Sequence, residues 1–154
     1  MVPLDKVWDL SVRLRSGGKR IVSTNGCFDI LHLGHIQYLN EARRLGDVLV
    51  VGLNSDSSVK TLKGPKRPIH DERTRTLQIA ALEAVDYVVV FPETTPESLL
   101  EKLRPFLHVK GGDYDPAQLP ERAVVEKFGG KVRCLPLVEG HSTTSLLEAL
   151  ARPS

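Results

Sequence analysis

Short apolar and β-branched runs recur along this chain at residues 20–24, 47–53, 85–91, 106–110 and 132–137, and apolar residues at helical spacing fill the stretches between them. That alternation constrains the fold more than any other property of the sequence. Strands that are apolar along their whole length belong in a sheet covered on both faces, and parallel neighbours need a crossover of helical length. The expected class is therefore α/β, a doubly wound parallel sheet of five strands with helices on both faces. An opening helix is expected over residues 4–15, with apolar residues at Leu4, Val7, Trp8, Leu10, Val12 and Leu14 and a stop at Gly17 and Gly18. Further helices are expected over 36–45, 71–83 and 120–128, from Thr95 and from Ser142, with Asp71 as an N-cap and Pro96 in a first turn, and a short helix or turn over 55–62.

With 154 residues, 41% of them hydrophobic, the chain is expected to form one domain over 1–154. Its 21 basic and 19 acidic residues leave a net charge of only +2, which argues against a general polyanion binder, so nucleic acid is not an expected partner. No apolar run approaches the roughly 20 residues of a bilayer crossing, and residues 1–5 lack the charged start and apolar run of a signal peptide. A cytoplasmic protein with no membrane partner and reduced thiols is expected. Cys27 and Cys134 read as small packing residues rather than nucleophiles.

In such sheets ligands bind at the carboxyl ends of the strands, and the unusual residues of this chain fall there. The first strand runs into Asn25-Gly26-Cys27-Phe28-Asp29, followed by His32-Leu33-Gly34-His35 at the start of a helix. Imidazoles three residues apart share a face at that helix N-terminus, where unpaired N–H groups and the dipole attract anions. Gly34 between them admits a phosphate closely. The spacing differs from the i, i+4 zinc pair, so no metal ligands are assigned, and His32 and His35 read as donors to phosphate oxygens whose charge grows during transfer.

Lys60, Lys63, Lys66 and Arg67 form a basic cluster that reads as an arm closing over a triphosphate, with Lys63 preferred and Lys60 second. Ser142, Thr143 and Thr144 read as a second anion site at a helix start that they also cap. Three residues carry two readings each. Asp113, after Gly111 and Gly112, is a turn residue or a contact to a sugar or base; Asp29 braces the turn or binds substrate; Arg75 is a surface residue or a phosphate clamp.

Taken together, these residues resemble the cytidylyltransferase-like nucleotidyltransferases, whose glycine, aromatic, aspartate and His-x-Gly-His pattern stands here as Gly26-Cys27-Phe28-Asp29 and His32-Leu33-Gly34-His35. The resemblance continues through Lys63-Gly64, Arg75, residues 110–114 and residues 139–144. Residues 24–29, 82–87 and 109–114 are similar to the adenylyltransferase domain of bacterial ADP-heptose synthases. What this implies is a Rossmann-like fold and transfer of AMP from ATP to heptose 1-phosphate, with release of pyrophosphate. It also implies Mg²⁺ arriving with ATP, a homodimer and a separate kinase supplying the sugar phosphate. The roles it implies are catalytic for His32, His35 and Lys63, and nucleotide-binding for Gly26, Cys27, Phe28, Gly34, Lys60, Arg75, Asp113, Ser142, Thr143 and Thr144. Asp29 and Gly112 would contact substrate. Two other readings stay open: a glycerol-3-phosphate cytidylyltransferase-like enzyme using CTP, and a nucleotide-binding or sensing module without turnover. Residues 112–114 and 137–138 depart from the cytidylyl pattern of an acidic pair before a tryptophan and a nearby arginine.

Overall fold

Every residue of the strand Val48–Asn54 is buried, as a central strand between two helical layers requires. A computed structural model describes residues 1–113 and 115–136 of the chain. Its strands are β1 (Ile21–Gly26), β2 (Val48–Asn54), β3 (Tyr87–Phe91), β4 (Leu107–Gly111) and β5 (Lys131–Leu135). All pair in parallel, in the order β3-β2-β1-β4-β5, so the expected five-stranded Rossmann-like sheet is the observed one. The helices are α1 (Val7–Ser16), α2 (Leu33–Arg44), α3 (Asp56–Lys63), α4 (Glu72–Ala80), α5 (Glu97–Leu103) and α6 (Glu121–Lys127). Short 3-10 turns stand at Leu4–Lys6 and Pro116–Gln118. The helix expected from Ser142 lies outside the described residues.

Alternation along β2 feeds two cores. Leu49, Val51 and Leu53 join Leu39 of α2 and Ile79 of α4 on one face, while Val48 and Val50 join Val7 of α1 and Leu99 and Leu103 of α5 on the other. Gly52 is small for a steric reason, since a Cβ there would lie 2.6 Å from Leu99 Cδ2. Helix boundaries moved where capping decides them. Asp71 caps α4 as expected, its carboxylate accepting from the Thr74 N–H at 2.8 Å. α2 starts at Leu33, ahead of the expected residue 36, because His32 itself takes the extended N-cap conformation. Among the described residues no helix is long and apolar enough to cross a membrane.

The pairing of β1 is uneven, and this positions the site. β1 follows β2 from Ile21 to Gly26, but pairs with β4 only at Val22 with Leu107 and Ser23 with His108. Past that point side chains replace the ladder. The Tyr38 hydroxyl, from α2, donates to Val109 O at 3.0 Å and takes a 2.6 Å hydrogen bond from the Thr24 hydroxyl. One residue further, Lys110 Nζ donates to Asn25 Oδ1 at 3.0 Å. The strands part where the sheet order reverses direction, the place where doubly wound sheets receive ligands.

Candidate functional site

The parted ends of β1 and β4 open into a cleft of about 220 Å³ lined by Asn25, Gly26, Cys27, Phe28, His35, Tyr38, Lys63, Lys110 and Gly111. The turn that shapes it places its left-handed residue at Phe28, with φ of 45°, and not at a glycine. A bulky residue in that region is strained, and such strain persists where surrounding packing holds it. Here the buried Phe28 ring sits 5.2 Å from the His35 ring at a 60° tilt. Gly26 ends β1 directly beneath it, where a Cβ would meet the Phe28 ring at 3.0 Å.

His32, at the N-cap of α2, and His35, in the first turn, stack with ring centroids 3.8 Å apart and 25° between planes. Burial, then the neighbouring charge of His32 and of Lys63, lowers the His35 pKa from 6.5 to about 4. Near neutral pH the ring is therefore uncharged, able to donate from one nitrogen and accept at the other. Gly34 is buried between them in the first turn of α2. Burial also raises the Cys27 thiol pKa, against the pull of Lys63 and Arg75, so the thiol stays protonated.

The bracing reading of Asp29 has direct support in its hydrogen bonds. Its carboxylate is buried and accepts from the Ile69 N–H at 2.7 Å, the His70 N–H at 3.1 Å and Arg67 Nε. Burial alone would raise its pKa, but the His70 N–H, Arg67 and the Ile69 N–H outweigh it and hold the carboxyl below its ordinary value. Asp29 thus braces the basic loop against the turn, with both carboxylate oxygens engaged. Of the two readings of Arg75, the surface one does not hold. The side chain is fully buried, with Nη1 donating to Cys27 O at 2.7 Å and Asn54 O at 2.8 Å, Nε to His70 O at 3.0 Å and Nη2 to Asp56 Oδ1 at 2.7 Å. A guanidinium taken out of water must spend its donors on acceptors, and here the carbonyls that end β1 and β2 absorb them.

Of the basic cluster, Lys63 ends α3 at the cleft, Lys60 and Lys66 are exposed away from its lining, and Arg67 is committed to Asp29. The loop after β2 supports α3 and does not line the cleft: Asn54 Nδ2 donates to Ser58 Oγ at 2.8 Å, and Ser55 caps the helix. Asp113 is exposed outside the lining, and Gly112 is tied by its N–H to Leu135 O at 2.9 Å. Ser142, Thr143 and Thr144 lie outside the described residues. Lys110, Asn25 and Tyr38 line the cleft although the sequence reading assigned them no role. A lysine at a strand end beside two glycines was the available signal for Lys110; nothing local marks the Tyr38 hydroxyl.

Imidazoles, two ammonium groups and the N-terminus of α2 give the cleft a surplus of donors, which suits a polyanion such as a phosphate chain. The sequence description of the Cytidylyltransferase-like family matches residues 23–142, a span that holds the histidine pair and every residue lining the cleft. The chain belongs to the cytidylyltransferase-like family. This cytidylyltransferase-like chain is 54% identical over 136 residues to the bifunctional protein HldE of Syntrophotalea carbinolica, covering 88% of the chain and 28% of that relative. Against the bifunctional protein HldE of Geobacter sulfurreducens the identity is 49% over 149 residues, 97% of the chain and 30% of the relative. The chain therefore spans under a third of the length of these curated relatives. Among solved structures, the lipopolysaccharide core biosynthesis protein from Thermoplasma volcanium superposes with a TM-score of 0.67 at 33% identity, covering 80% of this chain and all of that one.

Proposed function

We propose that this cytidylyltransferase-like domain is an adenylyltransferase that joins the adenylyl group of ATP to heptose 1-phosphate, forming ADP-heptose and releasing pyrophosphate. The stacked histidine pair at a donor-rich cleft carries the reaction class. Likeness to HldE proteins over about nine-tenths of the chain supports the sugar-phosphate acceptor, and ATP as the nucleotide belongs to the same reading.

In this reading an acceptor phosphate oxygen attacks the α-phosphorus in line, the bond from that phosphorus to the bridging oxygen of the β-phosphate breaks, and pyrophosphate leaves without a covalent enzyme intermediate. Little covalent work falls to the protein, so positioning and charge stabilisation dominate. His32 and His35 hold the phosphates at the transfer point. Neutral His35 donates a hydrogen bond to an oxygen on which charge develops, the interaction that gains most in the transition state. Lys63 meets the β- and γ-phosphates, and the hydroxyls of Ser142, Thr143 and Thr144 complete their binding. Magnesium enters as part of the substrate, bound to triphosphate oxygens, since imidazole and ammonium groups are poor partners for a hard cation. A cytoplasmic homodimer belongs to the same reading.

The test is pyrophosphate release by the pure protein with Mg²⁺, crossing ATP and CTP with heptose 1-phosphate, glycerol 3-phosphate and a pantetheine phosphate. Turnover confined to ATP with heptose 1-phosphate is expected. Turnover confined to CTP with glycerol 3-phosphate overturns the assignment, and tight nucleotide binding with no turnover replaces it by a sensing role.

A further inference from the structure

One buried ionic cluster is left unused by the transfer chemistry. On β4, His108 and Lys110 point to the same side of the strand, two residues apart. His108 is entirely buried, with Nδ1 2.8 Å from Ser23 Oγ and Nε2 3.9 Å from Glu121 Oε1. Glu121, the first residue of α6, is 3% exposed, and its Oε1 lies 3.0 Å from Lys110 Nζ. Lys110 Nζ also donates to Asn25 Oδ1 at 3.0 Å, and its side chain lines the cleft. The cluster thus runs from the interior behind β4 to the opening where β1 and β4 part.

Burying a carboxylate is costly unless a cation answers it. His108 does not: burial, followed by the charge of Lys110, holds its pKa near 3, so it stays neutral. Its Nδ1 is engaged by the Ser23 hydroxyl, and its Nε2 lies 3.9 Å from the carboxylate, beyond hydrogen-bond reach. Among the described residues Lys110 is then the cation that compensates Glu121. An ammonium has three N–H donors on a flexible four-carbon stem. Asn25, on β1, takes one of them in a hydrogen bond, and the Glu121 carboxylate, on α6, draws the ammonium as an ion pair at 3.0 Å, so the head group is fixed from two elements while it lines the cleft. A pinned ammonium is worth more to a reacting phosphate than a mobile one, because the cost of ordering it is met before the ligand arrives.

We propose that Glu121 is a positioning residue for the transfer reaction, holding the Lys110 ammonium by its ion pair at the parted ends of β1 and β4 so that it faces the phosphates in the cleft. The inference rests on the nucleotidyl-transfer reading above. Glu121 touches no substrate and acts through Lys110 alone, which makes its effect conditional on that lysine.

A double-mutant cycle tests this, with Glu121→Gln, Lys110→Met and both together, each checked for folding by circular dichroism and melting. Expected for Glu121→Gln is a drop in kcat/KM for ATP on the order of 10-fold and a loss of about threefold in calorimetric affinity for MgATP, with no further loss in the Lys110→Met background. Equal losses in both backgrounds would mean that Glu121 matters only to the fold, and no loss in the wild-type background would mean that Lys110 needs no holding; either overturns the proposal. If the wild-type protein binds MgATP but turns over no acceptor, the transfer reading fails. The cycle is then decided on MgATP affinity, where additivity again refutes the link.

Discussion

The rings of His32 and His35 lie face to face, 3.8 Å between centroids, at the N-terminus of α2. Two imidazolium charges at that separation would repel strongly, and burial, with the neighbouring charges, keeps His35 neutral. His35 therefore serves as an oriented hydrogen-bond donor in the proposed reaction. Substituting His35→Ala is expected to lower kcat at least ~100-fold, the scale of a lost oxyanion donor, with the fold intact. Steady-state kinetics beside circular dichroism check it, and a folded variant with unimpaired kcat would remove His35 from the chemistry.

Acid should weaken the fold before its carboxylates titrate. The pKa of His35 is lowered to about 4 and that of His108 to about 3, both from 6.5 and both chiefly by burial. Between those values and 6.5 the unfolded chain takes up protons that the folded chain refuses, so stability rises with pH across this window. It is complete above pH 6.5 and is lost as pH falls toward the folded-state values. The pKa of Asp29, held below its ordinary 3.8, adds a loss only at still lower pH. The urea midpoint is expected to fall steadily from pH 6.5 to about 4.5. A flat midpoint over that range would show both rings to be protonated in the folded protein.

The Asp29 brace makes a prediction about stability rather than chemistry. Asp29→Ala strips Arg67 and two backbone N–H groups of their acceptor in a largely buried setting, and removing one partner of such a pair costs about 3–5 kcal/mol. Since the Arg67 side chain keeps 18% exposure, the lower end of that range is expected in urea unfolding. A change below about 1 kcal/mol would class the contact with ordinary surface ion pairs.

Tyr38→Phe tests the bridge between β1 and β4. It removes one hydroxyl and leaves the Thr24 hydroxyl and Val109 O without that partner in a buried position, an effect of about 1–3 kcal/mol. Equilibrium unfolding measures it. A neutral outcome would mean that water takes over the bridge.

The strands, their parallel pairing and the histidine pair were legible because each depends on local spacing. The alternation of apolar runs needs no knowledge of which strand meets which, and two residues three apart on a helix must share a face. Asp29 and Arg75 were ambiguous for a tertiary reason. Their partners, Arg67 and the carbonyls of Cys27 and Asn54, are brought to them by packing that no local pattern records. Lys110 and Glu121 were harder still, because Lys110 finds Asn25 across 85 residues of chain, and the sheet order that joins β1 to β4 is invisible in either strand alone. Nothing local marks Phe28 as the left-handed residue of the turn after β1, because the packing on His35 that accompanies its strain is tertiary.

Where β1 and β4 part, peptide rungs of fixed span give way to rungs made of tyrosine, threonine, lysine and asparagine. A backbone ladder spaces its strands at roughly 4.8 Å whatever the residues. A side-chain rung is as long as the residue that makes it. The aperture of this cleft is therefore a heritable dimension, adjustable one substitution at a time at positions 24, 25, 38 and 110, so a chain of this architecture can be refitted to a bulkier or slimmer guest while its scaffold stays as it is.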